Sequence, residues 1–444
     1  MNNDIEAAGL AGNRLIGRRI RSDVLIAGAG LGGLTCALKM TQSGFRTAFV
    51  DPRLANWRVA DQSVRDNRVT ALLEPAVEFY RSLGVWQEVE KHAAPLSAIR
   101  IILASAEANE GDLEVAFHAG ELGQSRFGWS VPNARLSEVI ERRLAEADLA
   151  QALPGRLVAM VQRTNEIFVT LDSRLQIQAK LVVAADGRES PTRSLAGIGC
   201  RTIPHERKAV VFDVSHSVDH GDASLEIHHQ DGALTFVPIP DVKGECASAV
   251  VWIARSKDAD ALAALPAAKL EELAQKQGRG ILGRLSVLTR PRCWPLTSQL
   301  AKRFYGERVA LIAEAAHVFP PIAAQGFNSS VGDVWTLAGH IGSAGADPGR
   351  RVALQRYHRA RYAEVSGRLA GVTLLSLSSM TPSGIVKRLR KTVLQSISAS
   401  GTARRSLMRL GMGGHPLSAM LAPRPDPRAR RKGKRSGIVD SRPL

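Results

Sequence analysis

Cysteine is scarce in this 444-residue chain: Cys36, Cys200, Cys246 and Cys293 are widely spaced, with no C-x-x-C pair. That excludes a zinc ribbon or a disulfide framework and fits a reducing compartment. Long apolar runs are also missing, since no stretch approaches the ~20 residues that cross a bilayer. The first 21 residues carry acids and lack a continuous apolar stretch, so they do not read as a secretory signal. No H-x-x-x-H or Cys/His cluster suggests a metal, and there is no internal repeat. Negative charge is in short supply, with 42 acidic against 59 basic residues and a net charge of +17. From Arg404 onward eleven Lys/Arg meet two Asp, so that tail carries +9 and the first 403 residues carry +8. The tail's core, PRPDPRARRKGKR (423–435), is rich in Pro and charge and is expected to be disordered. Such a tail suits anionic lipid, an acidic partner or simple solubility; no recognition motif accompanies it, so nucleic acid is not expected. The length and the 45% hydrophobic content are ordinary for a soluble globular enzyme of about two packed domains.

The chain is organised around residues 22 to 51. Val24–Ala27 is a short apolar run, as in a strand buried on both faces. Gly28-Ala29-Gly30-Leu31-Gly32-Gly33 supplies G-x-G-x-x-G, Leu34, Ala37 and Leu38 recur at helical spacing, and Gly44 stops the helix. Thr47–Val50 reads as a second strand ending on Asp51. Gly28 permits the tight turn, Gly30 lets the backbone approach a pyrophosphate, and Gly33 lets helix and strand pack closely. The helix start then offers free N–H groups to phosphate, and Asp51 stands where a carboxylate accepts bonds from a ribose.

Further along, 52–70 is polar and loop-like. Asn133–Ala147 is an amphipathic helix with Leu136, Val139, Ile140 and Leu144 on one face. From Ala209 to Ile253 the pattern changes to strands broken by turns (AVVFDVSH, ASLEIHH, LTFVPIP, ASAVVWI), which predicts a mostly antiparallel sheet. A helix is expected at Ala267–Gln277, and the remainder after Leu311 is mainly helical. In the strand holding His228 and His229, alternation predicts that one of the two faces solvent. Trp252 and Trp335 read as packing residues.

Two later stretches sharpen the glycine motif. In the first, Val182-Val183-Ala184-Ala185-Asp186-Gly187, a buried strand delivers an Asp-Gly turn, followed by Ser190 and Arg193. In the second, a strand at 308–312 runs into Ala313-Glu314-Ala315-Ala316-His317, then Pro320-Pro321 and Gln325-Gly326-Phe327-Asn328. A carboxylate at that strand end suits a ribityl hydroxyl, and N–H groups at the new helix start suit an electron-rich ring.

With these three motifs in order, the chain resembles the class A flavin-dependent aromatic hydroxylases over roughly residues 22 to 413. Pro320-Pro321-Ile322-Ala323-Ala324-Gln325-Gly326 resembles the ubiquinone-biosynthesis hydroxylase family within them. The resemblance implies an α/β fold: a Rossmann-like FAD-binding domain with an inserted, mostly antiparallel substrate sheet and a helical C-terminal region. The expected division is 1–21 extension, 22–98 FAD-binding domain, 99–128 substrate strands and 129–200 FAD-binding domain. It continues as 201–300 substrate domain, 301–345 FAD-binding domain, 346–420 helical region and 421–444 basic tail. By position, Gly28, Ala29, Gly30 and Gly33 would meet the FAD pyrophosphate and Asp51 the adenosine ribose. Arg68 and Arg135 would contact FAD, Asp186 would serve both FAD and reductant, and Gly326 and Asn328 would approach the isoalloxazine.

One departure stands out. The family's usual Gly-Asp pair is Ala313-Glu314 here: Glu keeps the carboxylate but adds a methylene, and Ala restricts φ where Gly does not. The expectation is that Glu314 still binds ribityl, with FAD held less tightly; a flavin-poor relative acting as a partner in a quinone-biosynthesis complex is the alternative.

The implied activity is ring hydroxylation of a polyprenylated phenol or quinone precursor in ubiquinone biosynthesis through a flavin C4a-hydroperoxide. O2 is co-substrate and electrons come from NAD(P)H or a redox partner. A small soluble aromatic is the second choice of substrate. No side-chain nucleophile is expected, the general base is not identifiable, and His317 reads as support for the flavin loop. Gly384–Ser398 reads as a basic amphipathic helix which, with the tail, suits an anionic membrane surface. A cytoplasmic protein peripheral to the inner membrane is the corresponding expectation.

Overall fold

The computed structural model describes residues 19–59, 68–104, 112–229, 232–321, 324–343, 345–380 and 400–412. The basic segment 384–398 and the tail 423–435 lie outside these. The chain opens with β1 (Arg19–Ala27), α1 (Leu31–Gln42) and β2 (Thr47–Asp51). There follow β3 (Val69–Leu73), α2 (Glu74–Ser82), β4 (Ala94–Leu96), β5 (Ala98–Leu103), β6 (Leu113–His118) and β7 (Gly128–Pro132). Next come α3 (Asn133–Ala145), β8 (Ala150–Pro154), β9 (Leu157–Gln162), β10 (Ile167–Leu171), β11 (Gln176–Ala184) and α4 (Pro191–Leu195). Four long strands then run in sequence: β12 (Cys200–His216), β13 (Ala223–His229), β14 (Gly232–Val242) and β15 (Glu245–Arg255). After α5 (Ser256–Ala263) and α6 (Ala267–Gln277) come β16 (Leu285–Val287), β17 (Arg292–Ala301), β18 (Tyr305–Gly306) and β19 (Val309–Leu311). The short α7 (Ala313–Ala316), β20 (His317–Val318), α8 (Gln325–Ile341), α9 (Arg351–Met380) and α10 (Gly401–Gly411) complete it.

The first sheet has the order β18-β19-β11-β1-β2-β8, with β10 and β9 added beside β11. Its central pairs, β19/β11, β11/β1, β1/β2 and β2/β8, are parallel. β1 starts earlier than the apolar run at Val24 indicates. Residues 19–22 carry little hydrophobicity, yet they find partners at 176–179 on β11, so tertiary pairing extends the strand. Val24, Leu25, Ile26, Val182 and Val183 are fully buried between layers that include α1 and α8.

The second sheet, β20-β17-β12-β15-β14-β13-β5-β6, is antiparallel except for β13 against β5. Alternation gives its strands two distinct faces. Val210, Phe212 and Val214 of β12 join Phe236, Val250, Leu270 and Ala274 in a core under α5 and α6. Val211 and Asp213 point the other way. A small third sheet, β3-β7-β4, lies against that other face, with Val69 packed on Ile239, Ala247 and Ala249.

Two expectations are corrected. Neither His228 nor His229 faces solvent: both are half-buried, His229 under α6, with its Nε2 2.9 Å from the Gln277 carbonyl, and His228 on the opposite face beside Glu226. Trp335 packs, its ring stacked on Phe79, but at the surface of α8 and 52% exposed rather than in the core.

Candidate functional site

Three motifs far apart in sequence meet where parallel strands end side by side. Ala27 of β1 pairs with Ala184 of β11, and Ala184 pairs with Leu311 of β19. The segments that follow, Gly28–Gly33, Ala185–Ser190 and Ala313–Ala316, therefore emerge from one edge of one sheet. Crevices beyond the carboxyl ends of such strands are where α/β sheets take ligands.

At the first segment Gly28 has φ +102°, and a Cβ there would sit 2.3 Å from the Ala185 carbonyl oxygen. A Cβ on Gly33 would sit 1.9 Å from the Gly28 carbonyl oxygen, which is the close helix–strand packing that the spacing predicts. Gly30 differs, because a Cβ there would meet nothing within 4 Å. It caps α1 with no side-chain hydrogen bond, and no acid occupies the first turn. The first intrahelical bond runs from Leu34 N–H to the Gly30 carbonyl, so the earlier N–H groups remain available to an anion.

Asp51 at the end of β2 is buried and already engaged. Its Oδ2 accepts from Ala29 N–H at 2.9 Å and from Arg53 Nη2 at 3.0 Å, and its Oδ1 from Arg53 N–H and Nε at 2.9 Å each. A carboxylate offers about four lone-pair positions, so any further donor at Asp51 must compete with Arg53. Burial works to raise the Asp51 pKa, but the Arg53 guanidinium and the two N–H groups outweigh it and hold the carboxyl below its usual range. Sequence reasoning missed Arg53.

At the second segment Asp186 is used internally. It accepts from the Ser190 hydroxyl and from Thr192 N–H at 2.9 Å, fixing the start of α4. The buried Arg193 reaches across to the third segment, donating to the Ala315 carbonyl at 3.0 Å and to that of Arg188 at 2.9 Å. Glu314 is 3.6 Å from Arg188 Nε, with its side chain 48% exposed. Ala313 adopts φ +52°, the left-handed conformation for which glycine is suited, and its Cβ lies 3.0 Å from where a Cβ on Gly32 would be.

What holds Ala313 there is a buried charge network. Asp333 of α8, 0% exposed, accepts from Ala313 N–H at 2.9 Å, from His317 Nε2 at 2.6 Å and from Arg361 Nε at 2.9 Å. Burial opposes its charge, yet His317 and Arg361 prevail and keep its pKa below the usual range. His317 is thus a support of the loop. Its Nδ1 is buried and finds no partner among the described residues.

At the start of α8, Gly326 has open space where a Cβ would be, and Ala324 adopts φ +55°. Asn328 does not project freely. Its Oδ1 accepts from Leu73 N–H at 2.9 Å, and its Nδ2 donates to the carbonyls of Ala71 and Ala324 at 2.7 Å each. It therefore ties β3 to the loop before α8. Arg135 lies in the first turn of α3, paired with Glu138 at 3.0 Å, and α3 itself begins on a bond from Asn133 N–H to the Arg68 carbonyl. Arg68 lies over the Trp294 ring at 4.9 Å.

Arg68 also borders a cavity of about 120 Å³ lined by Asp213, Thr289, Arg290, Arg292 and Trp294. Burial raises the Asp213 pKa to about 6, and a hydrogen bond from Thr289 only partly offsets it. A sequence signal existed: Asp213 interrupts the apolar run AVVFDVSH. Among the described residues no three His, Cys, Asp or Glu side chains gather as a metal site, and no helix is long and apolar enough to cross a membrane.

A family model described as FAD binding domain matches residues 21–369. The chain is 29% identical over 400 residues to ubiquinone hydroxylase UbiL of Rhodospirillum rubrum, covering 88% of this chain and 90% of that protein. It is 26% identical over 397 residues to 3-demethoxyubiquinol 3-hydroxylase of Escherichia coli, covering 88% and 98%. Among solved structures, pqsL, a probable FAD-dependent monooxygenase from Pseudomonas aeruginosa, matches with TM-score 0.68 and 20% identity over 82% of this chain and 97% of that one. The p-nitrophenol 4-monooxygenase PnpA from Pseudomonas putida matches with TM-score 0.68 and 17% identity over 88% and 97%. These structural likenesses speak for the fold.

Proposed function

This chain belongs to the FAD binding domain family and is an FAD-dependent monooxygenase, and from that premise we propose that it hydroxylates the aromatic ring of a polyprenylated phenol or quinone precursor in ubiquinone biosynthesis. The observation that carries the reading is the meeting of Gly28–Gly33, Asp186 and Glu314 at adjacent strand ends. The site fits the cofactor: the uncapped start of α1 above an unobstructed Gly30 suits a pyrophosphate, and the space at Gly326 suits a flat ring. In this assignment Gly28, Ala29, Gly30 and Gly33 form the pyrophosphate turn, and Asp51 takes the adenosine ribose as Arg53 swings outward. Arg68 and Arg135 flank the cofactor, and Asp186 shapes the loop beside it. Glu314 takes the ribityl chain, and Gly326 opens room at the ring while Asn328 fixes the adjoining strand. Bound FAD supplies the redox chemistry that activates O2, with electrons from NAD(P)H or a redox partner. The protein's share is to orient the substrate ring, exclude water and place N–H groups where negative charge develops. A lipophilic substrate fits a chain that works at an anionic membrane surface.

The test is direct. Purified protein is expected to be yellow, and a deletion strain to accumulate a quinone precursor one hydroxylation short. Colourless protein that takes up no added FAD, or an unchanged quinone pool, defeats the proposal. The left-handed Ala313 beside an exposed Glu314 favours one second reading, a flavin-poor member acting within a quinone-biosynthesis complex. Full flavin loading on purification, unaffected by Glu314→Ala, would remove both that reading and the assigned role of Glu314.

A further inference from the structure

On the second sheet, the face turned away from α5 and α6 carries a carboxylate, Asp213, beside an indole and three arginines. In the β12–β17 ladder Arg292 pairs with Val211 and Trp294 with Ala209, so both side chains share the face of Asp213. Asp213 pairs with Ala249 on β15, and Ala249 packs with Val69 of β3. Arg68, the residue before β3, lies over Trp294. Three positions further along the same strand, the Ala71 carbonyl accepts from Asn328 at the start of α8. At ~3.3 Å per residue that separation is roughly 10 Å. The start of β3 thus borders the cavity of Asp213 and Trp294, and its middle borders the assigned flavin ring position.

Its size and lining are specific. About 120 Å³, partly open to solvent, is of the same order as the ~150 Å³ enclosed cavity known to hold benzene in an unrelated protein, which gives room for one aromatic ring. Trp294 supplies a flat aromatic wall, and its indole N–H is buried with no partner among the described residues. Thr289 Oγ1 accepts from Asp213 N–H at 2.8 Å, and the Thr289 hydroxyl also bonds the Asp213 carboxylate. The arginines on this wall, Arg68, Arg290 and Arg292, are the other charged groups lining the cavity.

We propose that this cavity receives the substrate's phenol ring and that Asp213, braced by Thr289, is the catalytic base that accepts the hydrogen bond and then the proton of its hydroxyl. The O–H bond breaks, its electron pair stays on the phenol oxygen and its proton passes to Asp213, which enriches the ring carbons ortho and para to that oxygen. The indole N–H of Trp294 supplies a donor to the oxygen as charge builds there. Burial that keeps Asp213 titrating near 6 leaves it empty, yet basic, at neutral pH. This inference rests on the monooxygenase reading and adds where the ring binds and which group takes its proton.

The test is a comparison of two probes on the flavin-loaded protein, 4-methoxyphenol and anisole, which share a ring and a methoxy group but differ in the hydroxyl. Binding is read from the perturbation of flavin absorbance between pH 5 and 8, for wild type, Asp213→Asn and Thr289→Val. The wild type is expected to bind the phenol about tenfold more tightly than anisole above pH 6, a preference typical of a bond to a charged acceptor. That preference should decline as the pH falls below 6, while Asp213→Asn loses most of it at every pH and leaves anisole binding unchanged. Thr289→Val should shift the midpoint of the profile upward. Equal losses for both probes in Asp213→Asn, a phenol preference that survives it, or no binding to wild type overturns the inference while the flavin spectrum still stands. Absence of bound flavin in wild type is the separate failure of the monooxygenase reading.

Discussion

Two turns at the edge of the first sheet face the same backbone demand and meet it differently. After β1 the chain enters the left-handed region at Gly28, where φ is +102° and there is no Cβ to collide with Ala185. After β19 it enters the same region at Ala313, φ +52°, with a side chain present. Left-handed backbone costs an L-residue roughly 1–2 kcal/mol relative to glycine. The first turn is thus relaxed by its own sequence, whereas the second is held by Asp333, His317 and Arg361. Local sequence and a distant network are two ways of fixing such a turn, but only the first survives loss of the surrounding fold.

Removing the network should break the second turn most severely. Asp333→Ala leaves Arg361, only 3% exposed, with the partly exposed Glu364 as its one remaining carboxylate among the described residues, and leaves the Ala313 N–H and His317 Nε2 without their acceptor. Loss of about 3–5 kcal/mol in urea denaturation is expected, as for other broken buried ion pairs. A loss under ~1 kcal/mol would mean that the Ala313 turn stands without the network. At the first turn, Gly33→Ala puts a Cβ 1.9 Å from the Gly28 carbonyl oxygen. Helix and strand must separate, costing about 1–3 kcal/mol and most of the bound flavin. Retention of full flavin absorbance would show that the close packing is dispensable. Ala313→Gly tests the difference between the turns directly. Relief of the left-handed strain should stabilise the flavin-free protein by up to about 1 kcal/mol and tighten FAD a few-fold in fluorescence titrations. A neutral result would show the strain to be fully absorbed by Asp333.

A separate effect concerns pH and lies outside both turns. Asp213 titrates near 6 in the folded chain, against about 3.9 when unfolded. A raised carboxyl pKa favours the folded state at low pH, and that contribution fades as pH rises from about 4 through 6. Wild type should therefore lose some stability across this window relative to Asp213→Asn, whose difference from it should be flat above about pH 7. Thermal melts at matched ionic strength would show whether the two curves diverge there.

Legibility in the sequence followed the range of the interactions. The β1-α1-β2 unit is local, and its glycines, its apolar strand and Asp51 are all readable from periodicity and turn chemistry. The helix at Ala267–Gln277 falls where its pattern places it. The antiparallel strands between Ala209 and Ile253 are likewise visible, although β12 begins at Cys200, where pairing with Ala301 extends it over a polar segment. Contacts between distant segments left no spacing to detect. Asp333 and Arg361 sit 28 positions apart on different helices, and Asn328 reaches back 257 positions to Ala71. Arg53, two residues from Asp51, was within reach of local reasoning, but the motif draws attention to the carboxylate and away from its neighbour. Alternation describes a bare strand, whereas α6 covers the His229 face of this one and the His228 face is also largely closed to solvent.

The bond network at Gln325 carries a practical consequence for engineering. Its side-chain amide donates to the Gly411 carbonyl at 2.9 Å and accepts from Arg368 at 2.8 Å. Helix α10 is clamped elsewhere by Arg404 on Glu121. Truncation before Gly401 would therefore strip an anchor from the entrance of α8, some 75 positions upstream, and loosen the start of that helix. Fusion partners and cleavage sites belong after Met412, where this latch is spared.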